Sequence, residues 1–167
     1  MKKSFSRAAH LGILTALALV LSYVEHLLPL PVPVPGIKLG LSNTVLLYAL
    51  FMLSKKEAVL LMLLKVLIQG FVFTSFSSML YSLSGGALSI FAMILARHFK
   101  GISIVGVSIS GAFMHILGQC TVALFFITYK AVLSYLPFLL ISSCITGAVT
   151  GIIAKTVLHH LSGRNSK

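Results

Sequence analysis

Four polar residues interrupt long apolar stretches of the chain in two pairs, each spaced by four residues. Lys65 is followed by Gln69, and His115 is followed by Gln119. Residues four apart lie on the same face of an α-helix, so each pair presents two hydrogen-bonding groups in one direction. An ammonium, an imidazole and two amides in apolar surroundings could together hold a small polar or anionic molecule.

A second group of polar residues surrounds the proline-rich stretch Pro-Leu-Pro-Val-Pro-Val-Pro-Gly at residues 29–36. Alternating prolines exclude a helix and favour an extended polyproline conformation. Glu25 precedes this stretch, and Lys38 and Asn43 follow it. One interpretation is a stiff loop held by an ion pair between Glu25 and Lys38. The other is a rim near a helix N-terminus, where anions are favoured, that captures a ligand from outside.

The composition indicates what kind of protein carries these groups. Of the 167 residues 58% are hydrophobic and 9% are charged, whereas a soluble domain has about 25% charged residues. We therefore predict an all-α, polytopic membrane protein, with residues 1–167 forming one integral membrane domain. The formal net charge of +11 does not indicate nucleic-acid binding, because the cations punctuate apolar runs.

The chain contains no Asp and only two acids, Glu25 and Glu57. Carboxylate-dyad catalysis and Mg²⁺ binding need acids in larger numbers, so we expect no catalytic residue, no metal site and no cofactor. Cys120 and Cys144 both fall inside apolar runs. We interpret them as buried thiols, since two cysteines make no disulfide framework.

A helix that spans a bilayer needs about 20 mostly apolar residues, and six segments of the chain qualify. They cover residues 8–28, 36–53, 57–76, 79–96, 102–127 and 134–158. The first segment starts with basic residues, as a signal peptide does, but its apolar run is longer than that of a signal peptide. We therefore expect it to remain as the first membrane helix.

The basic residues predict the orientation of these six segments. If the segments alternate in direction, ten of the thirteen Lys and Arg residues fall on one side of the membrane. These are Lys2, Lys3, Arg7, Lys55, Lys56, Arg97, Lys100, Lys155, Arg164 and Lys167. Cytoplasmic loops carry the excess of positive charge, so both termini are predicted to be cytoplasmic.

The function of the polar pairs stays open at this point. Lys65 either extends its side chain to the membrane surface or lines an internal cavity that it shares with His115. The amides of Gln69 and Gln119, with the imidazole of His115, either hold helices together or bind a ligand. An intramembrane ionisable residue indicates a functional site by default, so a ligand site is one of the two interpretations.

Small residues recur every four positions in two of the predicted helices. Ala8, Gly12 and Ala16 do so in the first, and Gly147 and Gly151 do so in the sixth. This spacing lets helix backbones approach closely in lipid. For the sixth helix we expect packing within the chain. For the first helix, packing within the chain and contact with another protein are equally compatible with the pattern.

Several stretches resemble the signature of one bacterial membrane family. Residues 35–43 read Pro-Gly-Ile-Lys-Leu-Gly-Leu-Ser-Asn, residues 81–86 read Tyr-Ser-Leu-Ser-Gly-Gly, and residues 103–108 read Ser-Ile-Val-Gly-Val-Ser. His115 and the pair Gly118-Gln119 complete the pattern. The family is catalogued as the Gx transporter or heptaprenyl diphosphate synthase component I family, and the resemblance covers nearly the whole chain.

That family is in turn similar to the substrate-binding S-components of energy-coupling-factor (ECF) transporters. The resemblance implies a six-helix bundle with an outward-facing ligand pocket. It also implies that Ala8, Gly12 and Ala16 contact a transmembrane coupling subunit, which carries two cytoplasmic ATPases. The chain has no P-loop pattern of its own, so we expect it to hydrolyse no ATP.

Three functions are compatible with these observations. The first is the substrate-binding subunit of an ECF-type transporter in the bacterial inner membrane, which captures a small, anionic vitamin-, flavin- or isoprenoid-like ligand. Its binding residues would be Lys38, Asn43, Gln69, His115 and Gln119, with Glu25 at the rim. The second is a non-catalytic membrane component associated with polyprenyl diphosphate or quinone synthesis. The third is a stand-alone ion-coupled carrier that uses Lys65 and His115 as a relay.

Overall fold

Six helices make up the part of the chain that this computed structural model describes, residues 2–27 and 40–164, with side chains from 7–27 and 40–160. They are α1 (Lys2–Leu27), α2 (Asn43–Met52), α3 (Lys55–Val72), α4 (Phe76–His98), α5 (Ile104–Phe126) and α6 (Tyr129–Arg164). Each predicted segment corresponds to one helix, and the described residues form no strand, so the all-α prediction is confirmed.

Serine hydroxyls start three of the helices. An N-cap side chain accepts a hydrogen bond from a backbone N–H that the first helical turn leaves without a partner. Because the three capping residues adopt extended backbone angles, the chain changes direction sharply where each helix begins. Ser54, Ser75 and Ser103 accept from the N–H groups of Glu57, Ser78 and Gly106, each at 3.2 Å.

Helix α2 is shorter than the sequence predicts. The predicted segment begins at residue 36, but residues 40–42 are not helical and the helix begins at Asn43. Gly40 has a φ of +85°, in the left-handed region that ends or precedes a helix. The prediction of a continuous helix from residue 36 is therefore wrong. The ten residues of α2 extend about 15 Å, half of a bilayer core.

Among the described residues, four helices are long and apolar enough to cross a membrane. These spans are Arg7–Leu27, Phe76–His98, Ile104–Phe126 and Tyr129–His160, the last longer at its start than the predicted 134–158. Many large apolar side chains on them are exposed, such as Phe91 and Phe125, because their outer faces meet lipid instead of a protein core. The chain is a multi-pass membrane protein.

Helix α2 lies at the centre of the bundle, where it contacts each of the other five helices. Six of its ten residues are buried, namely Asn43, Val45, Leu46, Leu47, Ala49 and Leu50. A helix that is apolar on all sides is a buried helix, which agrees with this position. The guanidinium of Arg97, at the end of α4, donates to the carbonyl oxygen of Leu50 and so holds the other end of α2.

Glycines allow α5 to pack very closely against both α4 and α6. A Cβ atom on Gly118 would lie 2.6 Å from the carbonyl oxygen of Ser84 on α4. Cβ atoms on Gly147 and Gly151 of α6 would each lie 2.9 Å from a backbone Cα of α5. The expectation that the small residues of the sixth helix pack within the chain is therefore confirmed.

Candidate functional site

The turn before α2 is held by a carboxylate from α1. The backbone N–H of Gly40 donates to Oε1 of Glu25, whose side chain is only 4% exposed. A Cβ on Gly40 would lie 2.8 Å from Nδ2 of Asn43 and 3.5 Å from Cδ2 of His115. The turn therefore needs glycine for its backbone conformation and for space, and it brings α1, α2 and α5 together.

Lys65 points into the bundle. Its side chain is 5% exposed, and its ammonium donates to the hydroxyl of Ser42 at 2.5 Å. Ser42 itself is completely buried just before α2. Of the two interpretations of Lys65, the structure therefore shows the internal one. The contact joins the middle of α3 to the residue that precedes α2. Two residues earlier, Gly40 is held by the carboxylate of Glu25.

His115 and Gln119 form a direct pair on α5. The amide nitrogen of Gln119 donates to Nε2 of His115 at 3.1 Å, and both side chains are buried. Gly85 of α4 faces this pair, since a Cβ there would lie 2.9 Å from Cγ of Gln119 and 3.0 Å from Cε1 of His115. Glycine at this position allows α4 to approach two polar side chains without displacing them.

Two buried amides have no hydrogen-bond partner among the described residues. They are the side chains of Asn43, 7% exposed, and Gln69, 0% exposed. Asn43 follows Ser42 directly, and Gln69 lies one turn after Lys65, so each is adjacent to one member of the Lys65–Ser42 contact. A buried polar group without a partner costs about 1–3 kcal/mol, so these two amides are the least satisfied side chains with a predicted binding role.

These residues together form what we call the polar core. It consists of Glu25, Ser42, Asn43, Lys65, Gln69, His115 and Gln119, which come from α1, α2, α3, α5 and the turn before α2. Five of them are predicted ligand-binding residues, and all five are buried. The sixth predicted ligand-binding residue, Lys38, lies outside the described residues. That the two helical pairs line one shared cavity stays a prediction.

No cluster of three or more His, Cys, Asp or Glu side chains that could hold a metal ion occurs within the described ranges. The polar core contains one carboxylate and one imidazole, which is fewer than a closed metal site requires. Cys120 is buried and Cys144 is half-buried, and both are free thiols. The polar core can supply hydrogen bonds and one ammonium charge, which are means of binding.

The sequence profile of a family described as heptaprenyl diphosphate synthase component I matches residues 14–157. The chain belongs to this family. The resemblance inferred from residues 35–43 and the later motifs is therefore confirmed. No curated protein sequence matches the chain.

The chain is also similar in fold to a solved structure described as the S component of a bacterial ECF transporter. The two share 18% sequence identity and superpose with a TM-score of 0.75, over 98% of this chain and 99% of the other. At this identity the likeness establishes the fold. It confirms that the chain has the S-component fold.

The small residues of α1 differ in their surroundings from those of α6. Ala8, Gly12 and Ala16 are all exposed, and a Cβ on Gly12 would meet nothing within 4 Å. The interpretation that these three residues pack within the chain is therefore wrong. They leave a smooth surface on α1, which another helix could approach closely.

Sequence reasoning assigned no role to several polar residues that the structure buries in the bundle interior, Ser22, Ser42 and Ser89 among them. Ser42 was part of the recognised motif but had no assigned role, although it is the partner of Lys65. The hydroxyls of Ser22 and Ser89 are also buried, without a hydrogen-bond partner in the described part of the chain. Ser22 and Ser89 are small polar residues inside apolar helices, where such residues are common enough to carry little signal by themselves.

Proposed function

We propose that this chain is the substrate-binding subunit of an ECF-type transporter and binds a small anionic molecule in its polar core. One observation carries the proposal: the amides of Asn43 and Gln69 are buried without a partner among the described residues, and each is close in sequence to a member of the buried Lys65–Ser42 contact. A ligand with an anionic head and an apolar body would satisfy these groups and suit the apolar helices around them. The fold likeness to an S component supports it.

Each polar side chain has a distinct role in this proposal. Lys65 neutralises the anionic group, and Lys38 attracts it at the outer rim. Asn43, Gln69, His115 and Gln119 supply hydrogen bonds. Glu25 acts on the protein instead of the ligand, because its carboxylate accepts from Gly40 and so positions Asn43. A vitamin, a flavin or an isoprenoid phosphate has the required chemistry.

The ligand enters from outside the cell, in a topology with six crossings and both termini in the cytoplasm. The ten basic residues on one side support this orientation. Helix α3 has 18 residues, about 27 Å, which is near the thickness of the bilayer core. The short α2 covers the inner half of the second crossing in this topology.

Transport requires partner subunits. The exposed surface formed by Ala8, Gly12 and Ala16 is where we place a transmembrane coupling subunit, which would carry two ATPases. The chain itself is not an enzyme in this proposal. Its lack of Asp argues against Mg²⁺-dependent chemistry on a diphosphate.

The experiment is native mass spectrometry of the protein extracted from its host membrane, followed by titration with the molecule that it retains. Asn43→Ala and Gln69→Ala should each weaken binding about two- to tenfold, the equivalent of one neutral hydrogen bond of about 0.5–1.5 kcal/mol. Asn165→Ala, which removes an amide three residues from the end of the sequence, is the matched control. Unchanged affinity in both core variants would remove the polar core as the binding site.

A second candidate function is a non-catalytic membrane component associated with polyprenyl diphosphate synthesis. The description of the matching family favours it, since it names a component of a heptaprenyl diphosphate synthase. Purification of the intact complex under mild conditions separates the two functions. A coupling subunit and ATPases would support the transporter subunit, and a soluble prenyl synthase would support the second candidate.

A further inference from the structure

A cavity of about 600 Å³ opens between the start of α5 and the later part of α6, about three helical turns before His115 of the polar core. Ile104 and Val105, the first residues of α5, form one wall, and Ile152 and Leu158 of α6 form the other. Its volume is in the range of small-molecule sites, about 300–1,000 Å³. The polar core uses none of these residues.

The rim of this cavity is basic. Lys155, His159 and His160 of α6 line it and are exposed. The N-terminus of α5 also lies here, and a helix N-terminus carries a partial positive charge. Neither of the two acids of the chain, Glu25 and Glu57, is among the described residues that line the cavity. The cavity therefore favours an anion at its rim.

A hydrogen bond fixes the orientation of one imidazole at the rim. The carbonyl oxygen of Thr156 accepts from Nδ1 of His160 at 2.9 Å, because a carbonyl can only accept. The ring is thus held against its own helix, with Nε2 on the far edge. The rings of His159 and His160 meet edge to face, with centroids 6.3 Å apart, so both imidazoles border the same opening.

We propose that this cavity binds an anionic phospholipid, with the phosphate of the headgroup at Lys155 and the two histidines and an acyl chain along the apolar walls. The cavity lies at the end of the bundle where α5 begins, and the exposed Lys100 precedes α5 by four residues, as expected at the level of the lipid headgroups. Basic pockets between membrane helices at this level bind anionic headgroups. A free phosphate ion would leave the apolar walls formed by Ile104, Val105 and Ile152 without an occupant. The basic rim and the apolar walls together therefore indicate a lipid.

The inference does not depend on the proposed transport function. It needs only that the chain lies in a membrane and that this end of α5 and α6 meets one surface of the bilayer. The bound lipid would hold the start of α5 against the end of α6.

The test is native mass spectrometry of the whole chain from nanodiscs that contain equal amounts of phosphatidylglycerol and phosphatidylcholine. The expected result is one retained phosphatidylglycerol, with Lys155→Gln weakening retention about fivefold, the effect of one interfacial cation. The triple variant Lys155→Gln, His159→Gln and His160→Gln should weaken it further. Lys130→Gln, which removes an exposed lysine at the other end of α6, should change nothing.

Three results would overturn the proposal. The first is equal retention of the two lipids by the unmodified protein, a readout that requires no variant. The second is undiminished retention of phosphatidylglycerol by a triple variant whose helical circular dichroism is unchanged. The third is displacement of the lipid by millimolar inorganic phosphate, which would indicate a site for the free anion.

Discussion

The ammonium of Lys65 lies 2.5 Å from the hydroxyl of Ser42 in the interior of the bundle. This contact ties the middle of α3 to the turn that begins α2, the helix that touches all the others. An ionisable residue inside a membrane bundle is costly to insert and marks a functional site by default. Lys65 is therefore the residue on which the proposed ligand site depends most.

Lys65→Met should abolish most ligand binding with little change in stability. A charge-assisted hydrogen bond contributes about 1.5–3 kcal/mol, so affinity should fall about ten- to a hundredfold. The free energy of unfolding should change by no more than about 1 kcal/mol, because removing a buried charge offsets the lost contact with Ser42. Ligand titration and thermal unfolding in detergent measure the two effects. Lys130→Met is the control, and equal affinity of both variants would contradict the prediction.

Gly118→Ala should destabilise the bundle far more than Gly86→Ala. The new methyl at Gly118 would lie 2.6 Å from the backbone oxygen of Ser84, whereas at Gly86 it would lie 3.1 Å from the flexible side chain of Met62. Overpacking against backbone costs about 1–3 kcal/mol, and Met adapts easily. The midpoint of thermal unfolding in detergent should fall clearly for the first variant only. Similar midpoints would show that α4 and α5 are not in backbone contact there.

Gly40→Ala and Gly12→Ala should have opposite effects. Alanine at residue 40 must adopt a φ of +85° with its Cβ 2.8 Å from Nδ2 of Asn43, and the left-handed conformation alone costs about 1–2 kcal/mol. Alanine at residue 12 meets nothing within 4 Å and gains up to about 1 kcal/mol in helix propensity. Unfolding midpoints of the two variants, compared with the unmodified chain, test the sign of each change.

Gly12→Leu should disrupt assembly with a coupling subunit but not the fold of the isolated chain. The position is open within the chain, and a large side chain would separate two helices that approach through small residues. Co-purification of the complex should fall about tenfold or more, equivalent to about 1.4 kcal/mol. Val24→Leu, an exposed position elsewhere on α1, is the control. Equal recovery of the complex from both variants would place the interface elsewhere.

Cysteine labelling should reveal the proposed orientation. In a background with Cys120→Ala and Cys144→Ala, a membrane-impermeant maleimide added to intact cells should label Lys130→Cys but not Lys100→Cys. Both residues are exposed, at opposite ends of α5 and α6. Labelling of Lys100→Cys should require permeabilised cells. The reverse pattern would invert the topology.

The sequence by itself determined that the chain forms apolar helices in a membrane and that each polar pair favours the bundle interior, although it left open whether Lys65 reaches the membrane surface. The spacing of four between Lys65 and Gln69, and between His115 and Gln119, puts each pair on one helical face. Lipid cannot satisfy such groups, so the face must turn inward. Local pattern and solvent chemistry are sufficient for these conclusions.

Only the tertiary structure decided what each face meets. Gly147 and Gly151 pack against α5, whereas a Cβ on Gly12 would meet nothing within 4 Å. Yet Gly12 is spaced by four residues from Ala8 and Ala16, just as Gly147 is from Gly151. The partner of Lys65 is Ser42, 23 positions earlier in the chain. Spacing along a helix defines which side chains share a face but carries no information about the neighbouring helix. The short, central α2, which begins only after the turn at Gly40, likewise results from contacts with five other helices.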